Sequence, residues 1–209
     1  MNSFWSYFLG MFYKPRNTFS RLLSDPHQLS LGFTSVLLMG ILYTLTTLGY
    51  VIAGASPLMP PVIGIPTKSY YLWELFFQIP TFLLGWLLAA GLAQTLNKLF
   101  KGSGTFRAHL AALGFALNIP WYITWLVDTV IALLYLSHVL TQDKWAAMIA
   151  QAGTWQTFNY SYPLVALIWL FFLVALALRA VQKLRWWQVV INSVSVVIIL
   201  QVVMTVFIR

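Results

Sequence analysis

The stretch from Tyr162 to Ile208, YPLVALIWLFFLVALALRAVQKLRWWQVVINSVSVVIILQVVMTVFI, decides the fold. It holds two apolar runs, Tyr162 to Val181 and Val189 to Ile208, joined by a short segment carrying Lys183, Arg185, Trp186 and Trp187. Each run has about 20 residues, the length at which a helix crosses about 30 Å of hydrocarbon. Barrel strands would be about 10 residues long and alternate polar with apolar side chains, and these runs do neither. Backbone polar groups in lipid need partners within their own segment, so both runs are predicted to be transmembrane helices.

The same pattern recurs upstream at Leu31 to Gly54, Tyr71 to Leu96 and Leu110 to Leu136. Over the 209 residues, 60% are hydrophobic and only 8% charged, a balance foreign to water-soluble domains. The predicted fold class is all-α: a polytopic membrane protein of five transmembrane helices, forming one domain over residues 1–209. Residues 1–30 are expected to be a short amphipathic segment on the cytoplasmic face. The first apolar run begins only near Leu31, after Lys14, Pro15 and Arg16, so it reads as a span and not as a cleaved signal.

Basic residues orient the bundle. Lys14, Arg16 and Arg21 precede the first span, Lys98, Lys101 and Arg107 separate the second from the third, and Arg179, Lys183 and Arg185 separate the fourth from the fifth. All nine fall on one side of a five-span arrangement, against Lys68, Lys144 and Arg209 on the other, which places the N-terminus inside and the C-terminus outside. Four or six spans would break the pattern. The excess of 12 basic over 4 acidic residues is thereby explained by topology and by anionic lipid headgroups, and no nucleic-acid module is visible. Tyr70, Tyr71 and Trp73 at one end and Trp186 and Trp187 at the other fit the interfacial aromatic belts.

Ahead of the spans, Phe4, Trp5, Phe8, Leu9 and Phe12 recur at helical spacing, with Ser3, Ser6 and Gly10 off that face. Two readings fit: a helix lying on the cytoplasmic leaflet, or a stripe packed on the bundle. Pro15 is expected to end or kink this helix.

Few residues could carry chemistry. Asp128 lies inside the third span, where a carboxyl costs about 2.5 to 3.5 kcal/mol to insert. It reads either as an ion or proton relay or as a hydrogen-bonded group bridging helices. Glu74, at the outer start of the second span, is on the same side of the membrane and could approach it, or stand in solvent beside Lys68. Asn118 and Pro120 interrupt the third span, where a proline frees the carbonyl near residue 116 and kinks the helix, to line a site or to shape packing. Ala108, Ala112 and Ala116 recur every fourth residue, which suits close helix contact inside the bundle or at an oligomer seam.

The loop Lys101-Gly102-Ser103-Gly104-Thr105-Phe106-Arg107 lacks the spacing of a phosphate-binding loop and is read as a turn in which Thr105 caps the third helix. There is no cysteine, and His27, His109 and His138 are far apart, so no metal site or cofactor is expected. No nucleophile and base stand at a recognisable spacing, and the chain is not expected to be an enzyme.

Three places resemble the bacterial branch of the Yip family, five-span proteins named for interaction with Ypt and Rab GTPases. They are Lys14-Pro15-Arg16-Asn17-Thr18-Phe19; Gly102 to Phe106 running into Leu113-Gly114-Phe115-Ala116 and Pro120; and Trp169 to Arg179 with the apolar run from Val189. The resemblance covers essentially the whole chain. It implies a non-enzymatic protein of the bacterial inner membrane; the long cytoplasmic N-terminal region of many trafficking relatives is not present in this sequence. The expected role is a membrane-organising scaffold in contact with anionic lipid and with a second copy or another membrane protein. The alternative is a small transporter or channel for protons, ions or a small solute, using Asp128 and the kinked third span. A water-filled cavity reaching Asp128 would separate the two.

Single cysteines replacing Ser103 and Ser56 are expected to react with a membrane-impermeant thiol reagent from opposite sides of sealed vesicles. Reaction of both from the same side would overturn the five-span count.

Overall fold

The computed structural model describes residues 3–208; Arg209, one of the outer basic residues, lies outside the described residues. The helices are α1 (Ser3–Tyr13), α2 (Pro15–Leu23), α3 (Gln28–Ile52), α4 (Tyr70–Leu99), α5 (Phe106–Ala116), α6 (Trp121–Leu136), α7 (Gln142–Ala150), α8 (Thr154–Gln182) and α9 (Trp186–Phe207). Among the described residues there is no strand. Helices α3, α4, α8 and α9 are each long and apolar enough to cross a membrane. Helices α5 and α6, bent by 41° across residues 117–120, are together long and apolar enough to make a fifth.

Large apolar side chains stand exposed over the bundle's outer surface, with Phe76 71% and Ile168 63% exposed. Such a surface suits lipid and would be a liability in water. Inside, Leu173, Val174 and Ala177 of α8 pack with Val196 and Leu200 of α9, and with Ala89, Ala90 and Ala93 of α4 in one core. The helices outrun the apolar sequence: α8 starts at Thr154, ahead of Tyr162.

The tightest crossing joins α3 to α5. A Cβ on Gly114 would lie 2.5 Å from the carbonyl oxygen of Gly32, and one on Gly32 would lie 2.8 Å from the carbonyl oxygen of Ala111. The two backbones therefore touch directly, the small-residue packing that lipid-embedded helices favour. Ala112 and Ala116 are fully buried here and Ala108 partly, so most of the every-fourth alanine stripe packs inside the bundle. Thr105 caps α5, its hydroxyl accepting from the Ala108 amide at 3.2 Å, as expected.

Pro15 ends α1 and opens α2 at its first turn, where its missing N–H costs nothing. Helix α1 packs on the bundle: Phe4 meets Phe115 with ring centroids 5.7 Å apart, Phe8 meets Tyr122 at 5.0 Å and Phe12 meets Trp169 at 5.5 Å. The aromatic stripe nevertheless divides. Tyr7 and Met11 share the buried face, while Trp5 and Leu9 point outward as an apolar ridge.

Replacing Gly114 with alanine is expected to destabilise the detergent-solubilised protein by about 1 to 3 kcal/mol or more through overpacking. Gly91, whose added Cβ would meet nothing within 4 Å, should accept alanine without loss. Thermal unfolding of the two variants side by side checks both.

Candidate functional site

At the end of the bundle away from the nine basic residues, α3, α4, α6 and α8 diverge around a cavity of about 390 Å³. The 41° turn between α5 and α6 helps to open it, since α6 leaves the line that α5 follows against α3. Asn118 and Pro120 sit at this turn, both buried. The Asn118 side chain donates to the Gly114 carbonyl at 2.7 Å, and Pro120 precedes the first residue of α6. The kink expected from these residues is present as a break of four residues.

Asp128 and Glu74 both line the cavity, so the two carboxyl groups that the sequence placed on one side of the membrane are brought to one space. Glu74 is buried in the α4 wall rather than standing in solvent beside Lys68. The Tyr162 hydroxyl donates to Asp128 Oδ1 at 3.3 Å, and Tyr50 donates to the Asp128 backbone carbonyl at 2.8 Å. Lower in the cavity the Tyr43 hydroxyl pairs with Thr124 at 2.6 Å, and beside it Thr46 pairs with Thr129 at 2.7 Å. Tyr50 stacks on Tyr71 with centroids 5.0 Å apart and meets Tyr135 at 5.9 Å. The mouth is strapped by a two-way amide contact: the Ser56 amide donates to Gln142 Oε1 at 2.9 Å, and Gln142 Nε2 donates back to the Ser56 carbonyl at 2.7 Å.

The sequence reading missed these tyrosines. The signal was present: Tyr43 and Tyr50 stand seven residues apart on α3, and Thr124, Asp128 and Tyr135 recur at helical spacing on α6, each set sharing a face. Burial alone cannot be read from such spacing in a chain where every helix face is apolar.

The opposite end holds a second polar cluster. The buried Gln182 amide donates to the Ala93 carbonyl at 3.2 Å and to His109 Nε2 at 2.9 Å, while His109 Nδ1 donates to the Thr105 carbonyl at 2.8 Å. Asn192 also donates to Ala93, and Asn97 to the Gly104 carbonyl. Amide and imidazole groups on α4, α5, α8 and α9 are thus tied together, which fixes the packing of four helices. Around this end Lys14, Arg16, Arg21, Lys98, Lys101, Arg107, Arg179, Lys183 and Arg185 are all exposed, and Arg107 reaches the Pro26 carbonyl at 2.9 Å. Among the described residues no group of three or more His, Cys, Asp and Glu side chains stands together to hold a metal ion.

The chain matches a family model, the Yip1 domain, over residues 9–208. The chain belongs to the Yip1 domain family. Neither a search of curated proteins nor one of solved structures finds a match. The Yip1 domain here takes in every span, the cavity and the second polar cluster, and starts within α1.

Outside the spans of this Yip1 domain protein, α1 is clipped to the turn after α2. Tyr7 donates to Asp25 Oδ2 at 2.8 Å, the His27 amide donates to Asp25 Oδ1 at 2.8 Å, and the Arg21 guanidinium lies 5.5 Å from the Tyr7 ring centre. Burial, and then the Asp25 carboxylate, push the Tyr7 phenol up. The His27 amide, and then the Tyr7 hydroxyl, hold the Asp25 carboxyl below its ordinary value of 3.8. A carboxylate depressed in the fold stabilises it above the ordinary value and loses that contribution as pH falls through the folded one. Amide exchange in α1 is therefore expected to speed up as pH drops below about 4, relative to the chemical rate, and the step should vanish in Asp25→Asn.

Proposed function

We propose that this Yip1 domain protein is a non-enzymatic membrane protein that binds a small solute in the cavity around Asp128 and serves its passage across the membrane. One observation carries the reading: a space of about 390 Å³ reaches the intramembrane carboxyl. That volume lies in the range of small-molecule sites, about 300 to 1,000 Å³. An intramembrane carboxyl facing such a space is a working group by default, because its insertion is unfavourable. With the basic end in the cytoplasm, the cavity opens outward; Glu74 belongs to its wall, while Asn118 and Pro120 sit at the turn from which α6 starts toward it.

A scaffold role in contact with anionic lipid, a second copy or another membrane protein has its own support in the outward ridge of Trp5 and Leu9 beside the exposed Lys14 and Arg16. Of the alanine stripe, Ala112 and Ala116 are spent inside the bundle and add nothing to it. The membrane is read as the inner membrane of a bacterium, from the resemblance set out above.

Purified protein in sealed liposomes, under an imposed gradient of protons or small cations, is expected to give a flux that falls about tenfold or more in Asp128→Asn. Flux that is equal in the two proteins, or missing in both, would remove the transport reading and leave the scaffold, which cross-linking in native membranes then tests.

A further inference from the structure

The cavity wall says which chemistry it suits. The Tyr162 hydroxyl occupies part of one oxygen of Asp128, and Tyr50 is spent on the backbone carbonyl, so the carboxyl keeps acceptor capacity toward the space it lines. Among the described residues, no Lys, Arg or His lines the space around it. Beside it, Tyr50, Tyr71 and Tyr135 form a cluster with centroids 5.0 and 5.9 Å apart, and Trp121 and Trp145 line the same space.

Aromatic faces carry negative partial charge and attract cations, most strongly where water is excluded. An anion would be repelled by the carboxylate. A bare metal ion would need about six oxygen ligands converging at about 2.0 to 2.6 Å, whereas much of this wall is ring and hydrocarbon. A cation that carries its own apolar surface satisfies both halves of the wall.

We propose that the cavity takes a small organic monocation, an amine or a quaternary ammonium, with Asp128 as counter-charge and the cluster of Tyr50, Tyr71 and Tyr135 as aromatic wall. This inference rests on the reading of the cavity as a solute site. Lys68 and Lys144 are exposed on Thr67–Ser69 and on α7 and do not line it, and Arg209, next to the lining residue Ile208, lies outside the described residues.

The test is isothermal titration calorimetry on the full chain in detergent, with choline and with 3,3-dimethylbutanol, which has the same shape and no charge. Choline is expected to bind about tenfold or more tightly than the alcohol, and its advantage should disappear in Asp128→Asn and shrink in Tyr50→Leu. Equal binding of the two probes would overturn the cation inference and leave the solute site standing. Binding of neither would overturn both. Competition by potassium as strong as that by choline would show a plain ion site in which the rings add nothing, and would also overturn it. The comparison of the two probes is made on the wild-type protein, so it decides the matter even if a variant fails to fold.

Discussion

The contact of Gly32 with Gly114 and Ala111 sets the rest of the bundle. With no side chain between them, α3 and α5 approach to backbone distance near the basic end, and Trp86 of α4 locks onto the outcome by donating its indole N–H to the Leu110 carbonyl at 2.9 Å. Helices held that close must separate again if anything is to fit between them. The turn at residues 117–120 performs the separation, and α6 then meets α3 through side chains: Tyr43 to Thr124, Thr46 to Thr129 and Tyr50 to the Asp128 carbonyl. One pair of spans is thus packed dry and tight at one end and joined by hydroxyl groups around a space at the other.

Charge follows the same division. Nine exposed basic side chains ring the tight end, where a headgroup layer would be anionic, and the buried amides of Asn97, Gln182 and Asn192 with His109 hold four helices together behind them. The acidic residues of the spans are both at the other end. In lipid there is no hydrophobic force between helices, so such polar ties and close backbone contacts are what remains to specify a single packing.

The spans were legible in the sequence because about 20 consecutive apolar residues have few other fates. The break in the third span was legible from Pro120, a residue that cannot donate to the carbonyl four before it. Less could be seen of α7 and of the first turns of α8, since Gln142 to Tyr160 is neither apolar enough for a span nor polar enough for a plain loop. The division of the α1 stripe was hidden for a related reason: Phe4, Trp5, Phe8 and Leu9 are alike in hydropathy, and whether a ring meets lipid or protein depends on neighbours that only the fold supplies. Of the tyrosines around Asp128, Tyr71 reads as an interfacial aromatic and Tyr162 as a span start, while Tyr43, Tyr50 and Tyr135 pass as ordinary span residues, because the partners of the Tyr43, Tyr50 and Tyr162 hydroxyls lie 34 to 81 residues away.

The break between α5 and α6 also lets one span keep two different distances from the same neighbour. A straight helix that touched α3 backbone to backbone at Gly114 would have to cross it at one angle along its whole length. The bend lets α5 make that contact while α6 stands off α3 by the length of a tyrosine or threonine side chain, bonded through Tyr43, Thr46 and Tyr50. The room beside Asp128 is thus a product of backbone geometry as much as of side-chain size.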